Sequence, residues 1–303
     1  MHVATHKTHL YLDGVYKKKN FGQPVVSIKP HEYSRYRDFL RNLLGFELGS
    51  DKRSLIEQRI GPRVKQLDLG SFDAYLNYIR SKKQGALSEK IAFIDRITTN
   101  TTRFFRESRQ FNLLTDRVLP ELIDRGKTDL SIWSAGSSTG EEVYTLAMVL
   151  DRFKHYEGGL GSFRIYGNDV SHSVIKSAKI GIYPREAIRH IPTEYARKYI
   201  QKGSGRYQKY IRFDPKLKRR HTDFWVQNLM EDGINLSRKA DIIFCRNTMI
   251  YFTRQVRQKL VYKFARYLKP GGYLFISFTE SLSDLQDIPF NQVNTSIYQL
   301  KGG

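Results

Sequence analysis

Cysteine is almost absent: Cys245 is the one thiol in 303 residues. No internal disulfide framework can form, and a reducing, cytoplasmic setting is expected. Long apolar runs are missing as well. Leu146 to Leu150 and Ile242 to Cys245 are among the longest, far short of the roughly 20 residues that a membrane-spanning helix needs. The opening MHVATHKTHLYLDG carries no apolar stretch of the secretory kind. Acidic residues are few, 30 Asp and Glu against 51 Lys and Arg, so the net charge is +21. A field of that sign attracts nucleic acid, acidic protein or anionic lipid without choosing among them. What is plentiful is core-forming material. Hydrophobic residues are 40% and aromatics 13%, which excludes disorder as the main state. The length predicts one large domain or two modest ones.

Residues 1–26 hold His2, His6, His9 and the run Lys17-Lys18-Lys19 with no sustained period, and read as a basic mobile arm. Nothing nearby would orient those imidazoles, so no metal site is expected. From Ile28 to Arg96 apolar residues recur at three- and four-residue steps, for example Tyr33, Tyr36, Phe39, Leu40, Leu43 and Leu44. Residues 27–97 therefore read as a helical domain. In its second helix Leu55, Ile56, Ile60 and Val64 face inward. Lys52, Arg59 and Arg63 share the other face, either as a solvated surface or as a docking face for an acidic partner.

Beyond residue 97 the texture becomes alternating strands and helices, the pattern of a parallel sheet with crossover helices. Strands are expected at Leu130 to Ala135, Phe163 to Val170, Ala240 to Cys245, Tyr273 to Ser277 and Ser296 to Leu300. The rhythm breaks between residues 183 and 227. Within that stretch residues 201–221 carry eight Lys or Arg and one Asp, with Tyr207, Tyr210, Ile211 and Phe213 among them. A small inserted β-subdomain, or flap, is expected there, with a solvated loop as the alternative.

The turn after the first strand, Gly136-Ser137-Ser138-Thr139-Gly140-Glu141-Glu142, is neither G-x-G-x-x-G nor a P-loop, since Glu stands where a P-loop has Lys. Two carboxylates at a helix start suit the helix dipole but repel a pyrophosphate. A cationic, phosphate-free nucleoside such as S-adenosylmethionine is the ligand this turn favours. Asp169, ending the second strand, stands where such folds accept ribose hydroxyls.

The sequence resembles the CheR chemotaxis-receptor methyltransferases. The resemblance is carried by Thr98-Thr99-Asn100-Thr101-Thr102-Arg103-Phe104-Phe105-Arg106-Glu107 and by Ile132-Trp133-Ser134-Ala135 with Ser138-Thr139-Gly140-Glu141-Glu142. It continues through Asn168-Asp169-Val170, Ile243 to Phe252, Leu268 to Phe275 and Glu280-Ser281-Leu282. It implies a Rossmann-like α/β methyltransferase domain over residues 98–303, with S-adenosylmethionine as cofactor and S-adenosylhomocysteine as product. Cofactor contacts would fall to Asn100, Thr102, Arg106, Gly136, Glu142, Asp169, Asn228, Leu229, Arg246 and Asn247. Arg106 and Tyr251 would serve the transfer. The implied substrate is a glutamyl side chain of a methyl-accepting chemotaxis receptor, approached through its acidic helical cytoplasmic region, with its C-terminal tail peptide as an open second contact. Lys52, Arg59, Arg63, Arg212 and Lys218 would then be docking residues. No stable nucleic-acid complex is expected, and the membrane would be met only through the receptor.

The chemistry suits this set. A glutamate with a pKa of about 4.3 is already ionised at neutral pH, so methyl transfer to it needs no general base. Two other readings stay open. A nucleic-acid methyltransferase would use the positive charge directly, but Arg246-Asn247-Thr248-Met249 lacks the Asp/Asn-Pro-Pro-aromatic turn of amino-methylating enzymes. Cys245 follows Phe244 rather than the proline of cytosine-C5 enzymes. A non-catalytic module that binds the cofactor to regulate is the third.

Overall fold

The structure is a computed structural model, and it describes residues 27–302. The arm at 1–26, with its three histidines, lies outside the described residues. Four helices come first: α1 (Pro30–Leu44), α2 (Arg53–Gln66), α3 (Phe72–Arg80) and α4 (Ala86–Ile97). Their ends follow local chemistry. Gly45 closes α1 at φ 74°, a left-handed backbone that glycine adopts without a Cβ clash, and Ser71 caps α3 by accepting from the Ala74 N–H at 3.1 Å. The apolar stripes meet in one core, with Tyr36, Leu40, Ile56, Ile60, Phe72, Tyr75 and Phe93 essentially inaccessible. Ile56, Ile60 and Val64 of α2 point inward as expected, whereas Leu55 is only half-buried.

A broken helical stretch follows, α5 (Arg109–Leu113), a π-turn (Leu114–Val118) and α6 (Leu119–Asp124). Then come β1 (Asp129–Ala135), α7 (Glu141–Tyr156), β2 (Ser162–Asp169), α8 (His172–Ile180), β3 (Ile182–Pro184), α9 (Thr193–Tyr199), β4 (Ile200–Lys202), β5 (Tyr210–Phe213) and α10 (Pro215–His221). The chain finishes with β6 (Thr222–Val226), β7 (Ala240–Cys245), α11 (Arg254–Tyr267), β8 (Leu268–Ile276), β9 (Phe290–Asn294) and β10 (Ile297–Leu300).

The main sheet has seven strands in the order β6-β2-β1-β7-β8-β10-β9, parallel from β6 to β8 and antiparallel at β10 and β9. Both faces are covered, which is why β1 beyond Asp129 and β7 are buried along their whole length rather than at every second residue, with Ser131, Ser134 and Asp241 as buried polar members. Ile132, Ile242 and Phe244 join the core layer beneath α7, while Trp133, Ile243 and Cys245 join the layer beneath α11. Strand order reverses between β1 and β7. In open sheets of this kind ligands bind outside the carboxyl ends of the strands at that point.

A second sheet, β3-β5-β4, forms the expected inserted β-subdomain. Its extent is a correction. Thr222–Val226 falls within the stretch read as insertion, yet it is an edge strand of the main sheet, paired in parallel with β2. An edge strand of alternating burial directly after the basic run Lys218-Arg219-Arg220 has no strong apolar signature of its own.

Candidate active site

The turn leaving β1 opens the site. Gly136 has φ 83°, and a Cβ there would stand 2.4 Å from Thr248 Oγ1, so only glycine lets this turn approach the β7 loop. The N–H groups of Gly136 and Ser137 donate to the Asn168 carbonyl, tying the turn to the end of β2. Ser138, a non-glycine at φ 49°, donates its N–H to Asp169 Oδ2 at 3.0 Å and its hydroxyl to the Asn100 carbonyl at 2.9 Å. Asp169 also accepts from the Ser171 N–H at 3.0 Å. Burial holds the Asp169 carboxyl above its ordinary range, against those backbone donors.

Glu142, in the first turn of α7, accepts from Ser134 Oγ at 2.8 Å and from Arg246 Nη1 at 3.1 Å. Burial pushes its carboxyl up, and Arg246 and Ser134 pull it back. Arg246 follows β7 and is 2% exposed; its guanidinium also meets Glu107 at 3.3 Å, donates to the Arg106 carbonyl and lies over the Phe111 ring. One buried cation thus joins two carboxylates from different parts of the chain.

Glu107 and Glu280 together build a frame behind the cleft wall. Glu107 accepts from Ser277 Oγ at 2.7 Å, Asn247 Nδ2 at 3.4 Å and the Phe278 N–H at 3.2 Å. Burial opposes its ionisation, but the Ser277 hydroxyl and Arg246 hold the carboxyl below the usual range. Glu280 accepts from the N–H groups of Ser277, Asn247 and Ile250 at 2.8, 3.1 and 3.2 Å. Burial raises its carboxyl nonetheless. Asn247 is held at φ 56° between these two carboxylates.

The helical domain supplies the roof, through Leu44 and Phe46. Asn228 Nδ2 donates to the Leu43 carbonyl at 2.7 Å, Glu47 N–H to the Tyr251 carbonyl at 2.8 Å, and the Phe46 and Tyr251 rings lie 5.5 Å apart. The cleft is open to solvent, and the space within it, its mouth included, is about 950 Å³.

Asn100, Thr102, Arg106, Gly136, Glu142, Asp169, Asn228, Leu229, Arg246, Asn247 and Tyr251 all line this one cleft. Lys52, Arg59 and Arg63 do not form one free basic face of α2, which corrects the sequence expectation. Arg59 is turned inward, donating to the carbonyls of Ile97 and Thr98 at 2.6 and 3.2 Å and to Thr99 Oγ1 at 3.0 Å. Burial pulls its pKa down, and Tyr251 opposes that shift. Arg63 makes a two-point pair with Glu89 at 2.8 and 2.6 Å, and Glu89 also accepts from Tyr75 at 2.8 Å. Lys218 caps the end of α8 by donating to the carbonyls of Lys179 and Ile180. Lys52 and Arg212 are exposed. Guanidinium and ammonium groups facing buried carbonyls or carboxylates are drawn to them because unpaired buried acceptors are costly. Cys245 is fully buried and its thiol pushed well up by that burial, as a core residue.

Sequence reasoning did not assign site roles to Glu107, Glu280, Ser138 or Phe46. Glu107 and Glu280 lay inside motifs already noted, which was the available signal, but their meeting at Asn247 joins residues far apart in sequence and appears only in the fold. Phe46 had none, because its role arises from the packing of one domain on the other.

A doubly wound sheet whose switch-point cleft joins a glycine turn, an acid after β2 and carboxylates at a helix start defines the class of S-adenosylmethionine-dependent methyltransferases. Residues 100–299 match the CheR methyltransferase, SAM binding domain, and residues 31–98 match the CheR methyltransferase, all-alpha domain. The chain belongs to the CheR methyltransferase family. A chemotaxis protein methyltransferase of Vibrio parahaemolyticus is 36% identical over 283 residues, covering 91% of this chain and 99% of the relative. One from Borreliella burgdorferi is 34% identical, covering 88% and 93%, and one from Escherichia coli K12 is 31% identical, covering 86% and 88%.

The cofactor is S-adenosylmethionine, and the residues present fit it. Ser137 Oγ is buried in the cleft wall with no hydrogen-bond partner among the described residues, a free group for a bound ligand. Carboxylates at Glu142 and Asp169, amides at Asn100, Asn228 and Asn247, and the guanidinium of Arg106 suit a ligand carrying hydroxyls, an amine and a carboxylate. With Glu141 and Glu142 at the start of α7, that helix end is closed to phosphate. No described helix is long and apolar enough to cross a membrane.

Proposed function

We propose that this protein methylates glutamate side chains of methyl-accepting chemotaxis receptors, forming glutamyl methyl esters. Similarity to proteins named chemotaxis protein methyltransferases, over most of both chains, supports this reading. The observation that carries it is the cleft itself, where Arg106 and Tyr251 stand together with Asn100, Glu142, Asp169 and Asn247. When bound, S-adenosylmethionine supplies an electrophilic methyl group on a sulfonium.

The protein's own residues then have definable tasks. The Arg106 side chain makes one hydrogen bond among the described residues, from Nη1 to the Thr101 carbonyl at 3.0 Å, which leaves further donors for a carboxylate. Tyr251 is fixed through its backbone and by Phe46, with its hydroxyl uncommitted among the described residues. Asn100, Thr102, Gly136, Glu142, Asp169, Asn228, Leu229, Arg246 and Asn247 would hold the cofactor, directly or by shaping the wall. An accepting carboxylate is already ionised, so catalysis reduces to near-attack placement and exclusion of water, for which the roof of Leu44 and Phe46 is suited. The +21 charge speeds encounter with an acidic receptor region. Exposed Arg212 is a docking cation for such a region or for a receptor tail peptide, and Lys52 is a second, exposed but paired with Asp51 at 3.0 Å.

The test is incubation with methyl-labelled S-adenosylmethionine and host membranes, followed by mild alkali. Label released from a protein band as volatile methanol is the expected result. Alkali-stable label that is lost to nuclease would assign the activity to nucleic acid instead.

A further inference from the structure

Few large hydrophobic side chains are well exposed among the described residues, and two of these, Ile250 at 52% and Phe278 at 39%, come from loops built on the same frame. The Ile250 N–H is held by Glu280 Oε1 at 3.2 Å, and the Phe278 N–H by Glu107 Oε2 at 3.2 Å. Those two carboxylates meet again at Asn247 and Ser277, so a single hydrogen-bonded frame carries both apolar side chains and a wall of the cleft. Ile250 directly precedes Tyr251, and Phe278 is tied to Glu107, next to Arg106; both Tyr251 and Arg106 line the cleft.

We propose that Ile250 and Phe278 form an apolar docking step at the mouth of the cleft, which receives apolar side chains flanking the accepting glutamate of the receptor polypeptide. This rests on the receptor-methylation reading above. Two apolar side chains left in water on a fastened backbone are suited to binding, because little conformational freedom is lost when they are covered. Charge selects the occupant. Arg106, next to the Glu107 that holds the Phe278 N–H, lines the cleft together with exposed Arg103, so the cleft beside the apolar pair carries cations. An acidic polypeptide segment satisfies both, placing carboxylates toward the arginines and its apolar residues on Ile250 and Phe278. The step would thus favour glutamates with apolar neighbours over equally acidic sites without them.

The full chain carrying Ile250→Ser, Phe278→Ser or both is assayed with receptor-bearing membranes and labelled S-adenosylmethionine. In the double variant the KM for receptor is expected to rise at least ~10-fold, with kcat at saturating receptor within about twofold. Cofactor affinity by calorimetry should stay within about twofold, and Ile250→Leu with Phe278→Leu should recover most of the loss. An unchanged receptor KM in the double variant, while the wild type forms alkali-labile ester, overturns the docking step alone. A matching loss of cofactor affinity overturns it too, because the pair would then be cofactor wall. Equal loss of binding to receptor-free vesicles of the same lipid would make the occupant a membrane surface. No alkali-labile label on receptor with the wild type would remove the receptor reading, and the docking step with it.

Discussion

Arg246 Nη1 lies 3.1 Å from Glu142 Oε2, joining the loop after β7 to the first turn of α7 across the switch point of the sheet. The arginine side chain is 2% exposed and also meets Glu107, so this contact fixes the floor of the cofactor cleft from three segments.

Removing that cation should be severe. Arg246→Met strands two carboxylates in a largely buried place, a change that typically costs about 3–5 kcal/mol. Denaturant unfolding should read the loss, and cofactor binding by calorimetry should vanish with it. Glu142→Gln keeps the Ser134 contact and should instead weaken cofactor binding roughly 10–100-fold with the fold intact.

Asp169 bridges the Ser138 and Ser171 N–H groups and faces the cleft. Asp169→Asn retains one acceptor oxygen and should weaken S-adenosylmethionine by about 1–3 kcal/mol, measured by calorimetry beside an unchanged circular dichroism spectrum. Equal affinity in the variant would remove Asp169 from the cofactor contacts.

Arg59 tests the clasp between the helical domain and the segment that carries Asn100 and Thr102. Its guanidinium holds the carbonyls of Ile97 and Thr98, so Arg59→Met should lower both thermal stability and cofactor affinity. A pure docking residue would alter receptor kinetics alone. Calorimetry on the receptor-free protein separates the two outcomes.

Glu141 should print a pH dependence on stability. It is buried at the start of α7, accepts from Thr139 Oγ1 at 2.6 Å, and burial raises its pKa to about 7 from 4.5. The folded state therefore binds more protons than the unfolded state between those values. Stability should fall as pH rises from about 4.5 to 7 and stay reduced above it. Glu141→Gln should remove this dependence and be more stable than wild type at pH 8 by up to about 3 kcal/mol, as read by denaturant midpoints at pH 5 and pH 8.

The helices of residues 30–97 and the strands β1, β2, β7, β8 and β10 were legible because burial imposes a period on the side chains. Trp133 and Ile132, neighbours in sequence, go to opposite core layers, which is why large apolar residues stand side by side in a strand covered on both faces. The meeting of Gly136, Glu142, Asp169 and Asn247 in one cleft was legible as well, since the turns after parallel strands converge on one edge of the sheet. Asn100, Thr102 and Arg106 precede β1, and only the family resemblance linked them to that cleft. Strand β6 was not, because Thr222–Val226 is short and follows directly on the basic run Lys218-Arg219-Arg220, so it reads with the insertion.

The sequence alone determined which side chains are apolar and at what spacing, and with that the layers of the fold and the edge that bears the cleft. Tertiary structure decided the partners of the charges. Arg63 meets Glu89, Asn228 reaches Leu43 and Glu107 reaches Ser277 across long stretches of chain. A helical wheel placed Arg59 and Arg63 on one outer face, but a neighbouring segment covers that face and draws both guanidiniums to acceptors. Hydrophobic burial repeats with the local geometry of a helix or strand, whereas a hydrogen bond needs two particular groups at one point in space, and only the packed fold supplies the second.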